Sequence, residues 1–348
     1  MMKKQKLYLL HFLIILLAIN SIFSIFVLSE SQESLGINEE YNPVINPTDF
    51  TTQITNPYFS MPIGKKMVYE AKTEDGIERI ETLIPGWTKE IMSVETLVFW
   101  DRVYLDGELI EDTRDYIAQD KEGNVWYFGE NVDNYVGGLL TDHHGAWIGG
   151  VDGALPGIWM KANPKVGDEY RQEYYKGEAE DLGRVDAIDE SVTTPAGTFT
   201  GCIKIFEWTP LETTTGYKYH SKVAGGTVLE EEDGERVELI EMDLEGAKCI
   251  KLSNRYSQEG VLPGFTKNCR TEDLIDLEIE VSGKELKTNI TEEDAKEIAL
   301  KEVPGKITDV AIEKKFGKPT YVVEIQTTNG EIDVIIDIDT GEILGIEE

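Results

Sequence analysis

The chain reads as a mainly β protein: a curved antiparallel sheet or half-barrel domain, followed by a small α+β domain. Three observations carry this reading. Between residues 50 and 250 apolar and polar residues alternate in short runs, with no apolar stripe at helical spacing. The breaks between those runs are rich in Gly, Asp and Pro, the punctuation of an all-β domain that curls to manage its edges. After residue 288 the period changes from 2 to 3.6, and one amphipathic helix precedes a few extended runs.

The stretch 100–130 organises the large domain. Asp106-Gly107 separates a run ending at Leu105 from one opening at Leu109. Asp-Gly is the strongest short hairpin signal, because both central residues of a type I′ turn need positive φ. A second break, D-K-E-G-N at 120–124, divides 116–119 from 125–129 and makes a three-stranded meander. Its polar side is expected to carry Asp101, Glu108, Asp112, Asp115 and Glu130.

At the start of the chain, Lys3, Lys4 and Lys6 precede an almost unbroken apolar run over 7–28, the pattern of an export signal. The run approaches the ~20 residues that span a bilayer. Residues 1–29 are therefore read as a signal peptide or an N-terminal membrane anchor, with membrane contact only through 7–28. No cysteine follows the run, so a lipoprotein anchor is not expected. Either way the remainder is placed outside the cytoplasm, secreted or anchored.

Residues 30–49 are a polar linker with Asn42-Pro43 and Asn46-Pro47. The β domain occupies 50–250, with strands expected near 66–71, 78–84, 89–99, 103–105, 108–119 and 125–130. From 133 to 165 the alternation dissolves into Gly, Trp and Pro, a long irregular loop of the kind that carries function. Strands resume at 169–175, 183–188, 191–194 and 199–208, then near 217–221, 226–230 and 235–242. T-P-A-G-T-F at 194–199 is a tight hairpin, in which Pro195 fixes its own φ and Gly197 supplies a positive one.

Y-F-S-M-P-I-G-K-K-M-V-Y-E (58–70), with V-T-T-P-A-G-T-F-T-G-C-I-K (192–204), resembles a group of exported β proteins with strongly curved sheets similar to lipoprotein-carrier-like folds. The resemblance covers about residues 50–245 and implies architecture, not activity. Met67 stands where a Trp is common in that group.

Residues 251–287 are a connector with one strand, where Ile275, Leu277, Ile279 and Val281 alternate with acids. In 288–348, Thr291 is a good N-cap with acids filling the first turn. Ile290, Ala295, Ile298, Ala299 and Val303 form the apolar stripe, and Pro304-Gly305 ends the helix. Extended runs follow at 307–316, 320–327 and 331–338, joined through 317–319 and 329–330, with a last hairpin through Asp339-Thr340-Gly341. The order T-x-x-D-A-x-x-I-A, G-K-P-T-Y-V-V-E-I and I-D-x-x-T-G-E-I-L resembles a PepSY domain over 288–348. That resemblance implies a propeptide-type regulatory module of exported proteins, linked to restraint of peptidases near the cell surface, and it brings no catalytic residues.

The formal charge is −33, from 66 acidic and 33 basic residues. Such a balance repels nucleic acid and anionic lipid surfaces, so neither is an expected partner. The three cysteines, Cys202, Cys249 and Cys269, match no zinc spacing. An exported domain would permit one disulfide; three pairings exist, and Cys249–Cys269 is the nearest along the chain.

Chemistry is thinly signposted. There is no nucleophile-and-base pair, phosphate loop or H-E-x-x-H. Glu173, Glu178, Glu180 and Asp181 are the candidate Ca²⁺ ligands, since that ion takes several carboxylate oxygens; the alternative is a solvated strand end. Adjacent His143 and His144 read as loop packing. Trp126, Trp147 and Trp159 are the candidate platform for a sugar or apolar ligand, set against a plain core role. Asn289 in N-I-T fits a glycosylation acceptor. The functional expectation is an exported or cell-surface, non-enzymatic binding or regulatory protein whose PepSY module restrains or senses a partner, a protein or peptidase at the cell surface. The alternatives are a carrier of an apolar ligand in the curved sheet and a carboxylate-dependent hydrolase. No cofactor is expected beyond Ca²⁺.

Overall fold

The computed structural model describes residues 41–73, 75–244, 288–328 and 330–347, with the backbone of short strands at 249–252, 266–267 and 274–277. Two compact units result, one built on Ile45–Leu286 and one on Lys287–Glu348.

The first unit is an 18-stranded sheet. A 3-10 turn over Pro47–Asp49 leads into β1 (Phe50–Thr51), then β2 (Lys66–Lys72), β3 (Ile77–Leu83), β4 (Trp87–Ile91), β5 (Val94–Leu105), β6 (Glu108–Asp120) and β7 (Val125–Val136). Next come β8 (Leu139–Asp142), β9 (Trp147–Ile148), β10 (Leu155–Met160), β11 (Glu169–Arg171), β12 (Glu173–Tyr174), β13 (Leu182–Thr194) and β14 (Gly197–Trp208). β15 (Thr215–Ser221), β16 (Gly226–Glu232) and β17 (Glu235–Asp243) complete the meander. β18 (Cys249–Leu252) and β20 (Leu274–Leu277) pair in parallel as a separate ladder, and β19 (Thr266–Lys267) pairs with β4.

Antiparallel pairing runs β2-β3-β5-β6-β7-β10 along one side and β13-β14-β15-β16-β17 along the other, and β17 pairs back onto β2. The segment 169–174 joins the two sides. β11 pairs with β13 through Glu169↔Arg184, and β12 pairs with β10 through Leu155↔Tyr174 and Pro156↔Glu173. The expected curved sheet thus returns on itself, and closure removes the open edges that a half-barrel would leave. Gly157 makes the seam possible: a Cβ there would stand 2.3 Å from the carbonyl of Gln172.

Three local expectations are corrected. The run 89–99 is broken by a turn at Met92-Ser93, both at positive φ, so β4 is short and β5 continues to Leu105. Neither Met nor Ser commonly takes positive φ, which hid the break. The pieces 183–188 and 191–194 are one bulged strand, β13, bent where Asp189 takes φ 70°. The span 133–165 is not one loop: it holds the end of β7 and all of β8, β9 and β10. Gly129 admits β9, because a Cβ on it would lie 2.4 Å from the Trp147 carbonyl oxygen.

Both faces of β5, β6 and β7 are buried, which explains their nearly continuous burial. On the inner face Leu97, Phe99, Ile117 and Tyr127 share a cluster with Ile203 and Ile205 of β14, a strand that is not their neighbour, so this contact crosses the ring. On the outer face Val98, Trp100, Tyr116 and Phe128 pack with Trp87 and Ile91 of β4. Burying two faces doubles the apolar area that each strand removes from water, at about 25 cal/mol per Å².

In the second unit Thr291 caps α1 (Glu292–Glu302) with a reciprocal bond to Asp294, and Ala295 and Ala299 are its buried face. The sheet order is β21-β22-β23-β24, from β21 (Lys306–Lys315), β22 (Lys318–Thr327), β23 (Gly330–Asp337) and β24 (Ile343–Glu347), all antiparallel. The first hairpin turns at Phe316-Gly317 (φ 55° and 77°), one position earlier than 317–319, and Pro319 lies inside β22 opposite Lys314. The two units agree with the expected fold class of a mainly β domain followed by a small α+β domain.

Candidate functional site

Alternation along β5, β6 and β7 sorts their charges by face. Arg102 and Arg114, the only basic residues of these strands, both point outward. There Arg114 Nη1 donates to Asp112 Oδ1 and, at 2.7 Å, to Asp133 Oδ2. Trp100 Nε1 donates to the same Asp112 oxygen at 3.0 Å, and His143 Nδ1 lies 2.8 Å from Asp133 Oδ1. Arg102 Nη2 donates to Glu81 at 3.4 Å. Every one of these outward acids has a cation.

The inward face is different. Asp101 stands directly opposite Thr113, Glu111 and Asp115 flank Thr113 along β6, and Glu130 stands opposite Asp115. Thr113 Oγ1 donates to Glu111 at 2.8 Å, and the Tyr127 hydroxyl donates to Asp115 Oδ1 at 2.8 Å. Asp101 is 3% exposed and its Oδ1 has no hydrogen-bond partner. The acids continue across the seam: Trp147 Nε1 donates to Glu173 Oε2 at 3.1 Å, and the Glu173 carboxyl is hydrogen-bonded to Asp181. Beyond Asp181 comes Glu207, which accepts from Gln172 at 2.7 Å and pairs with Lys218 Nζ at 2.8 Å.

Burial disfavours the charged form of a carboxyl. It holds Asp101, Glu130 and Glu173 well above the carboxylate range, reinforced by neighbouring acids. Asp115 is pushed up to about 7 by burial, against the opposing hydrogen bond from Tyr127. Asp181 is also pushed up to about 7, by burial and by Glu207.

The residues singled out in the sequence fall as follows. Trp147 and Trp159 meet inside the ring around Tyr127, whose ring centroid lies 5.2 and 4.8 Å from theirs. Trp126 is on the opposite face, donating to Asp120 Oδ2 at 2.8 Å, with Phe50 edge-on at 6.0 Å. Buried Glu173 meets the half-buried Asp181, whereas Glu178 is exposed on the turn before β13. Glu180 accepts from the Gly177 amide at 2.9 Å and lies 3.8 Å from Arg171. Among the described residues, no three acidic, histidine or cysteine side chains gather as ligands of one ion. Cys249 lies on β18, Cys269 lies outside the described residues, and Cys202 is a buried free thiol.

Asp101, Glu108, Asp112, Asp115 and Glu130 were expected together on a polar side. Instead all but the half-exposed Glu108 are buried, and Asp112 is on the other face from Asp101, Asp115 and Glu130. The signal was present in W-D-R and E-D-T-R-D, where acids and arginines alternate at the strand period, so that one face collects the cations. What the sequence does not reveal is that neither face meets water.

A second feature lies beside the ring interior. Lys65 Nζ donates to the carbonyls of Ser60 (2.9 Å) and Gly225 (2.7 Å) in a small pocket lined by Phe59, Met61, Met67 and Tyr69. Burial lowers its ammonium to about 7.

The fold and its interior define a closed β unit with a packed, acidic centre, joined to an α+β unit. The α+β unit carries a PepSY domain: residues 289–347 match that family's model, described as peptidase propeptide and YPEB domain. No curated protein matches the chain.

Proposed function

We propose that the protein works outside the cytoplasm as a non-enzymatic binding and regulatory protein, its PepSY module restraining or sensing a peptidase or other protein partner at the cell surface. The observation that carries this reading is the family match over 289–347. The apolar run at 7–28 behind three lysines supports export. Within the module, Phe316 is 68% exposed at φ 55°, a backbone region that a bulky side chain resists. Among the described residues of the module it is the most exposed large apolar side chain, so Phe316 is the residue to vary. Carriage of an apolar ligand has less to rest on, since Tyr127, Trp147 and Trp159 fill the space between the strands.

The test is the activity of cell-surface peptidases from the same source, measured against increasing full-length protein. Saturable inhibition that Phe316→Asn weakens at least tenfold supports the reading. No dose-dependent change and no retention of a peptidase on the immobilised chain overturns it.

A further inference from the structure

We infer that the interior of the β unit is a proton-loaded switch: the carboxyl cluster around Thr113 folds in its uncharged, proton-sharing form, and the ring loosens as its surroundings turn alkaline. Four carboxyls, those of Asp101, Glu111, Asp115 and Glu130, surround one threonine on one face of three adjacent strands. An ionised Asp101 would leave its buried Oδ1 without a protein hydrogen-bond donor. The groups facing the cluster from packed elements are Tyr69 on β2, Glu78 on β3, Tyr127 on β7 and Glu173 on β12, all of them acids or phenols. Arg114 acts on Asp115 only from the opposite face, where Asp112 and Asp133 hold its guanidinium. Along the row of acids the first cation is Lys218, engaged by Glu207 at 2.8 Å and Glu230 at 2.9 Å.

Like charges at such spacing cannot all ionise without a counter-charge. Protons supply one in the manner that the geometry favours. Asp115 faces Glu130 across the ladder, and Glu173 is already bonded carboxyl to carboxyl with Asp181. A metal ion is the poorer occupant, because no three of these side chains converge as ligands among the described residues. The sign follows from linkage. A carboxyl whose folded pKa lies above its unfolded value stabilises fully below about pH 4, and that stability is lost as pH rises through the folded pKa, about 7 for Asp115.

The experiment follows thermal unfolding of the full chain from pH 5 to 9 through its buried tryptophans, with infrared detection of protonated carboxyl groups in the folded protein. The wild-type midpoint is expected to fall by roughly 5 °C or more between pH 5 and 8. Asp115→Asn and Glu130→Gln should flatten that slope and unfold later than wild type at pH 9. Should a variant fail to fold, the infrared band of the wild type at pH 7 still decides. A midpoint lowered equally at every pH by both variants, or no protonated carboxyl at pH 7, overturns the inference. So does a rise at pH 9 on adding millimolar Ca²⁺ that Asp101→Asn abolishes, which would make a cation the occupant.

Discussion

His143 Nδ1 lies 2.8 Å from one oxygen of Asp133, and the other oxygen takes the Arg114 guanidinium at 2.7 Å. A largely exposed imidazole is thereby tied to a buried ion triad on the outer face of β6 and β7. The two ends of this chain should differ in weight. Arg114→Ala strands two buried aspartates and should cost about 3–5 kcal/mol. His143→Ala removes an exposed partner and should cost under about 1 kcal/mol. Urea denaturation of the two variants measures both, and equal losses would show that the triad does not bear the weight assigned to it.

Lys65 should oppose the interior acids in its pH dependence. Its folded pKa, about 7, lies below the unfolded value, so the unfolded chain binds the extra proton between about pH 7 and 10.5. Stability from this group therefore rises with pH across that window. Lys65→Met should remove the rise. A stability–pH curve unchanged above pH 7 in that variant would place the amine in water instead.

Gly197 turns the β13–β14 hairpin at φ 144°, and no atom lies within 4 Å of where its Cβ would stand. Gly197→Val therefore meets backbone strain without a clash, on the order of 1–3 kcal/mol. A chemical-denaturation midpoint equal to wild type would show the strain to be absent.

Cys202 is fully buried with its thiol pushed up by burial, so the thiolate is scarce. Alkylating reagents should leave it unmodified in the folded protein and label it on unfolding. Rapid labelling under native conditions would mean that the β14 region opens readily.

The sequence made the β units, the Asp106-Gly107 hairpin and the α1 cap legible, because each rests on local chemistry: turn residues, alternation and a capping pair. Residues 105–108 turn as type I′ chemistry requires, and Thr291 and Asp294 bond reciprocally. Ring closure was not legible, since it depends on Gly157 letting β10 pass Gln172, a contact between distant segments. The interior acids were visible as letters but not as a place. Asp101 reads as part of a polar side until residues distant in the chain bury both faces of β5. The tryptophans divided for the same reason: Trp126 and Tyr127 are adjacent, so alternation sends one outward and the other toward Trp147 and Trp159.

Ring closure rests on a very short seam. The segment 169–174 holds β13 by three residue pairs and β10 by two, whereas β13 and β14 share a long ladder. A fastener this brief should be the first to let go, so its amides ought to exchange with solvent long before those of β5 and β6. Opening there would unzip the ring along one line while the remaining strands stay paired. It would also expose buried Glu173 beside the half-exposed Asp181, making the seam the door through which protons enter and leave the interior.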